Sequence, residues 1–177
     1  MLETCGEKSR YLLGFEESCG YLSGTHVRDK DGVNAALLIC EMCAYYKKQQ
    51  TNLSERLKDL YETYGYSLSA LLSYTFEGEA GMKKMQMFMQ SLRENATSFG
   101  EFSVLETVDF LTGIDDLPKL DVLKFILSEN ASLVIRPSGT EPKLKFYLSA
   151  VAKGEKKASE IIRKLELCIE TFVHNYS

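Results

Sequence analysis

The sequence has little that would carry it across or onto a membrane. Its longest apolar run, Ala35 to Cys40, stops at Glu41, far short of the roughly 20 residues a spanning helix needs. Met1 is followed by Glu3, Glu7, Lys8 and Arg10 with no apolar stretch, which does not read as a secretory signal. A cytoplasmic protein is expected. Excess positive charge is missing too. The net charge is −4, which argues against wholesale binding to nucleic acid or anionic lipid, because that affinity rests on clustered Lys and Arg. Any anion must then be held locally. The five cysteines, Cys5, Cys19, Cys40, Cys43 and Cys168, are odd in number and irregularly spaced, so free thiols are expected rather than a disulfide framework. Cys40 and Cys43 form a Cys-x-x-Cys, but inside an apolar helical run, without a second pair or nearby histidines. Redox pairs favour a helix N-terminus and structural zinc needs four ligands, so both cysteines are expected to be buried packing. His26 and His174 are too few and too scattered for a metal cluster.

What is present is the composition of an ordinary globular chain, with 177 residues, 45% hydrophobic and 26% charged. Tyr11, Leu12 and Leu13 read as a short strand that opens into a polar loop ending near Gly32. From Val33 to Tyr46 almost every residue is apolar, which predicts a largely buried helix capped by Asp29 or Asp31, with Lys47 and Lys48 near its end. Asn52 and Glu55 resemble a capping box for a second helix through Leu53, Leu57, Leu60 and Tyr64, stopping at Gly65. Leu71 to Phe76 predicts a strand. Met82, Met85, Met89 and Leu92, with Phe88 beside them, share one helical stripe and read as adaptable core. Strands are expected over Val104 to Leu111, Asp121 to Leu127 and Leu133 to Ile135. In Lys143 to Ala150, Leu144, Phe146, Leu148 and Ala150 face one way and Lys143, Lys145, Tyr147 and Ser149 the other, the period of a half-buried antiparallel strand. Ala158, Ile161, Ile162, Leu165, Cys168, Ile169 and Phe172 fall on one face of a final amphipathic helix. The fold class is therefore α+β: a partial α/β unit, residues 1–66, followed by a mostly antiparallel sheet with helices packed on one face, residues 67–177.

Two segments carry candidate chemistry. Between two strands, Arg136, Pro137, Ser138, Gly139 and Thr140 combine a planar fork of donors, two hydroxyls and a glycine, a set suited to a phosphate dianion. Lys145, on the polar face of the next strand, adds a point charge. A tight turn that uses Pro, Ser and Gly for backbone reasons accounts for the same residues. The second segment is Gly14 to Gly20, where Glu16 and Ser18 offer an acceptor and a donor to the hydroxyls of a sugar. Two exposed glutamates at a loop are the plain alternative. Lys30, in the charged run Arg28 to Asp31, suits a solvated approach to the helix, or a proton-transfer or phosphate-contacting role.

Taken together, GFEESCGYLSGTHVRDKDG and the downstream RPSGTEPKLKFY resemble the α-D-phosphohexomutases, the phosphoglucomutase and phosphomannomutase family. That family carries a sugar loop of G-E-x-S type in its third domain and an R-x-S-G-T phosphate loop in its fourth. The resemblance covers essentially the whole chain. It implies that Glu16 and Ser18 bond the ring hydroxyls and that Lys30 lies close to the reacting group. Arg136, Ser138, Gly139 and Thr140 would grip the non-reacting phosphate of a hexose phosphate, supported by Lys145. Phe15 stands where many relatives have Gly, and Lys145 where many have Arg. The resemblance also implies an isomerase that moves a phosphoryl group between C1 and C6 through a phosphoserine and a bisphosphate, with Mg2+ and a glucose 1,6-bisphosphate-type activator. This sequence has no Ser-His-Asn-Pro-like serine loop and no Asp-x-Asp-x-Asp metal loop. The expectation is therefore a C-terminal fragment, inactive alone, whose partners are hexose phosphate and the missing N-terminal domains of the same polypeptide. A free-standing phosphosugar-binding module and a non-catalytic interaction domain are the competing readings.

Overall fold

The computed structural model describes residues 11–16, 20–76, 80–113, 118–139 and 141–174. Ser18, Thr140, Cys5 and Cys19 lie outside the described residues. The chain divides into two compact units, Met1–Asp59 and Leu60–Ser177.

The first unit holds a hairpin of β1, Leu13–Glu16, and β2, Gly20–Ser23, paired antiparallel with Gly14 opposite Leu22 and Glu16 opposite Gly20. Helix α1, Gly32–Lys48, follows. Asp31 caps it, its Oδ1 accepting from the backbone N–H groups of Val33 and Asn34, both at 3.0 Å. These are two of the donors a helix start leaves unsatisfied. Helix α2, Leu53–Tyr64, runs across the boundary between the units at Asp59 and starts as the capping pattern predicts, the Glu55 N–H donating to the Asn52 side chain at 3.0 Å. It stops at Gly65, which takes a φ of 94° and donates its N–H to the Tyr61 carbonyl.

One expectation fails here. Helix α1 forms where its apolar run predicts, but none of its residues is buried. Val33, Leu37, Ile39, Met42 and Tyr45 are exposed, and so are Cys40 and Cys43, which were expected to be buried packing. The reason is local. Among the described residues the only sheet in this unit is a hairpin with four-residue strands, too small a surface to cover a helix that is apolar nearly all round.

The second unit is an antiparallel sheet of six strands in the order β3-β8-β7-β6-β5-β4. The strands are β3 Tyr66–Thr75, β4 Ser98–Phe99, β5 Phe102–Asp109, β6 Leu123–Leu127, β7 Ala131–Pro137 and β8 Lys143–Ala152. The period-2 pattern predicted for β8 is the one observed: Leu144, Phe146, Leu148 and Ala150 are buried, and the residues between them are half-buried. Helix α3, Gly81–Asn95, buries Met85, Phe88, Met89 and Leu92. Helix α4, Glu155–His174, buries Ala158, Ile161, Ile162, Leu165, Ile169 and Val173. The helices and one face of the sheet share a single core. Phe88 sits near its centre, edge-on to Phe146 at 6.2 Å and to Phe172 at 5.6 Å between ring centroids. Burying one such side chain contributes roughly 1.5–3 kcal/mol, so this face carries most of the unit's stability. The other face presents Lys124, Ser132, Val134, Arg136, Lys145, Tyr147 and Ser149, none of them buried. No described helix is long and apolar enough to cross a membrane.

Candidate functional site

The phosphate-type loop joins β7 to β8. Arg136 is the last but one residue of β7 and is exposed. The register sets it directly opposite Lys145 of β8, and Lys145 in turn opposite Ser73 of β3. Residues so placed have Cβ atoms about 5 Å apart, and like charges in that position repel. No carboxylate pairs with either cation among the described residues, whereas Arg93 elsewhere in the unit is bound by Asp109 at 2.8 Å and Asp121 at 2.6 Å. Among the described residues the Arg136–Lys145 pair is thus a cationic spot without a counter-charge, which a dianion would relieve.

The loop is closed by the Ser138 N–H, which donates to the Lys143 carbonyl at 2.7 Å, and by the Lys143 N–H, which donates to the Glu141 carbonyl at 2.8 Å. The Ser138 amide is therefore used by the turn. Gly139 has open space where a Cβ would stand. The loop is also braced from β3, where the Phe76 N–H donates to the Pro142 carbonyl at 2.7 Å.

In the first unit, Gly14, Phe15, Glu16, Gly20, Leu22, Arg28, Asp29 and Lys30 line a cleft of about 270 Å³. Glu16 is the end of strand β1 rather than a loop residue, and its Oε1 lies 3.2 Å from the Lys30 ammonium, both side chains about half exposed. Sequence alone did not place these two together; the hairpin does, by turning the chain back between them. Lys30 reaches Glu16 by laying its stem over Gly20, whose α-carbon leaves no room for a Cβ, since one would stand 2.6 Å from the Lys30 Cδ. The loop leading to α1 is pinned at several points. The Asp31 N–H donates to the Tyr21 carbonyl at 2.8 Å, the Asn34 amide to the Ser23 carbonyl at 2.9 Å, and His26 Nε2 lies 3.2 Å from Asp31 Oδ2. The Asn34 backbone amide, then His26, hold the Asp31 carboxyl below its ordinary value. The cleft is lined by two carboxylates, Glu16 and Asp29, which can accept from hydroxyls, and by two cations, Arg28 and Lys30. Sequence reading missed Arg28 as a lining residue; its place in the charged run before the helix was the available signal.

Comparison with known proteins bears on both segments. Residues 1–64 match the family model described as phosphoglucomutase/phosphomannomutase, alpha/beta/alpha domain III, and residues 104–163 match the one described as phosphoglucomutase/phosphomannomutase, C-terminal domain. The chain belongs to the phosphoglucomutase/phosphomannomutase family. A phosphoglucomutase of Staphylococcus saprophyticus is 36% identical over 155 residues, 81% of this chain and 28% of the relative. A probable phosphomannomutase of Haemophilus influenzae is 33% identical over 91% of this chain and 32% of its own length. The glucose 1,6-bisphosphate synthase of Mus musculus is 30% identical over 97% and 30% respectively. The chain thus spans about 30% of the length of these relatives. Among solved structures, the open form of the Paramecium phosphoprotein pp63/parafusin, a phosphoglucomutase, superposes with a TM-score of 0.64 at 19% identity, over 94% of this chain and 31% of that one. It shares the fold.

Among the described residues no three His, Cys, Asp or Glu side chains come together as a metal ion would need.

Proposed function

We propose that this chain is the substrate-holding part of a phosphohexomutase, with residues 1–66 orienting the sugar and residues 67–177 gripping the phosphate that does not react. The observation that carries this reading is the cation pair Arg136 and Lys145, directly opposite one another beside the R-P-S-G-T loop and without a carboxylate partner among the described residues. Glu16 and Ser18 accept and donate hydrogen bonds at the sugar hydroxyls. Arg136, Ser138, Gly139, Thr140 and Lys145 hold the phosphate, and Lys30 stands near the group being transferred. In the complete enzyme a phosphoserine and an Mg2+ ion, held by residues outside this chain, would supply the phosphoryl-transfer chemistry between C1 and C6. What these residues contribute is orientation. A bound hexose bisphosphate must present first one end and then the other, and a phosphate grip that does not itself react permits that turn.

The test is a titration of the purified chain with glucose 1-phosphate and glucose 6-phosphate, by calorimetry or NMR, in wild type and Arg136→Ala. Losing a charge-assisted contact to phosphate costs roughly 1.5–3 kcal/mol, so binding should fall at least about tenfold in the variant. Equal affinities in the two proteins would refute the phosphate site. The chain alone is expected to show no mutase activity.

A further inference from the structure

The cation pair is the end of a longer pattern on the open face of the six-stranded sheet. One row along, Tyr147 of β8 lies opposite Val134 of β7 and Leu71 of β3. One row further, Ser149 lies opposite Ser132 and Ser69, and the Ser132 and Ser149 hydroxyls are 2.8 Å apart. The face therefore runs from a charged row (Arg136, Lys145, Ser73), through an apolar and aromatic row (Val134, Tyr147, Leu71), to a hydroxyl row. Successive rows on one face are about 7 Å apart and neighbouring strands about 4.8 Å. A ligand with a dianionic end joined to a ring bearing both C–H and O–H groups matches that order and spacing. The Tyr147 ring is half-buried, and its hydroxyl has no hydrogen-bond partner among the described residues. Tyrosine in such a place presents an apolar body and a polar tip to a ligand at small entropic cost.

We propose that Tyr147 is the platform on which the sugar ring of the bound hexose phosphate rests, between Val134 and Leu71, while Arg136 and Lys145 hold the phosphate. This rests on the phosphate-site reading above and adds to it the residue that distinguishes a phosphosugar from bare phosphate. The Ser73 hydroxyl, beside Lys145, faces the junction between phosphate and ring.

The test compares affinities for inorganic phosphate and glucose 6-phosphate by NMR titration of the full 177-residue chain. Tyr147→Thr removes the ring but keeps a residue that favours strands, and Tyr147→Phe keeps the ring and removes only the hydroxyl. The expected result is a wild-type preference for glucose 6-phosphate that shrinks by about three- to tenfold in Tyr147→Thr, as loss of an aromatic contact predicts. Phosphate affinity should be unchanged in that variant, and Tyr147→Phe should retain most of the preference. An undiminished preference in Tyr147→Thr, with phosphate binding still abolished by Arg136→Ala, would overturn the platform and leave the phosphate site standing. Failure of folded wild type to bind either probe, or full phosphate affinity in Arg136→Ala, would overturn both.

Discussion

At the scale of single residues, the two oxygens of Asp31 serve different partners. Oδ1 closes the start of α1 and Oδ2 faces His26. Both sets of donors favour the carboxylate, which is why the folded protein holds this group below its ordinary value of 3.8. A carboxyl depressed on folding contributes stability that is fully present above its unfolded value and is lost as pH falls through the folded one. The contribution of Asp31 is therefore whole near neutrality and disappears only below about pH 4. Asn caps helices about as well as Asp but does not titrate. Asp31→Asn should keep α1 formed at neutral pH and lose less of it on acidification than wild type does. An acid titration followed through the backbone amides of Val33 and Asn34 reads this directly. Superimposable acid limbs in the two proteins would mean that the cap is not charge-dependent.

At the scale of elements, the junction of β3 and α3 is where the sheet holds the loop between β7 and β8 in place. A Cβ on Gly81 would stand 2.0 Å from the Phe76 carbonyl oxygen and 3.2 Å from the Pro142 Cβ. The first obstacle is backbone, which does not rotate away, and the same Phe76 ties the loop through its N–H to Pro142. Gly81→Ala should destabilise the second unit by about 1–3 kcal/mol, the usual cost of overpacking. It should also shift the amide signals of 136–143, where a purely local helix effect would leave them alone; urea unfolding and an amide spectrum test the two parts. The elements themselves were largely legible in the sequence. Strand β8 and helix α4 declare themselves because their apolar residues repeat with periods of two and of three to four, and each has one buried face. Helix α1 declared its existence but not its exposure, because a run that is apolar on every side does not say which side is covered. The candidate site was legible as residue types and not as an arrangement. Arg136 and Lys145 were picked out by their chemistry, but Ser73 joins them only through the β3–β8 register, and Glu16 meets Lys30 only through the β1–β2 hairpin. Register depends on pairings distant in sequence, which no local pattern encodes.

At the scale of the whole molecule, stability is unevenly shared. Every buried hydrophobic side chain among the described residues lies between Phe76 and Val173, all in the second unit. Helices α1 and α2 bury none. Hydrophobic burial is the main favourable term in folding, so the two units should open with different free energies rather than together. Amide hydrogen exchange is expected to be slowest in β7 and β8, at the centre of the core. The amides of α1 should open at a lower cost than those of β7 and β8, because local opening ranges from near zero up to the global free energy of unfolding. Truncating the core at Phe88→Ala should then cost roughly 3–5 kcal/mol and accelerate exchange in β7 and β8 while leaving α1 almost untouched. If α1 instead exchanged as slowly as β8 in the wild type, and accelerated with it in Phe88→Ala, the first unit would be drawing its stability from the second. The cleft of Glu16 and Lys30 would then depend on the hydrophobic core of the second unit.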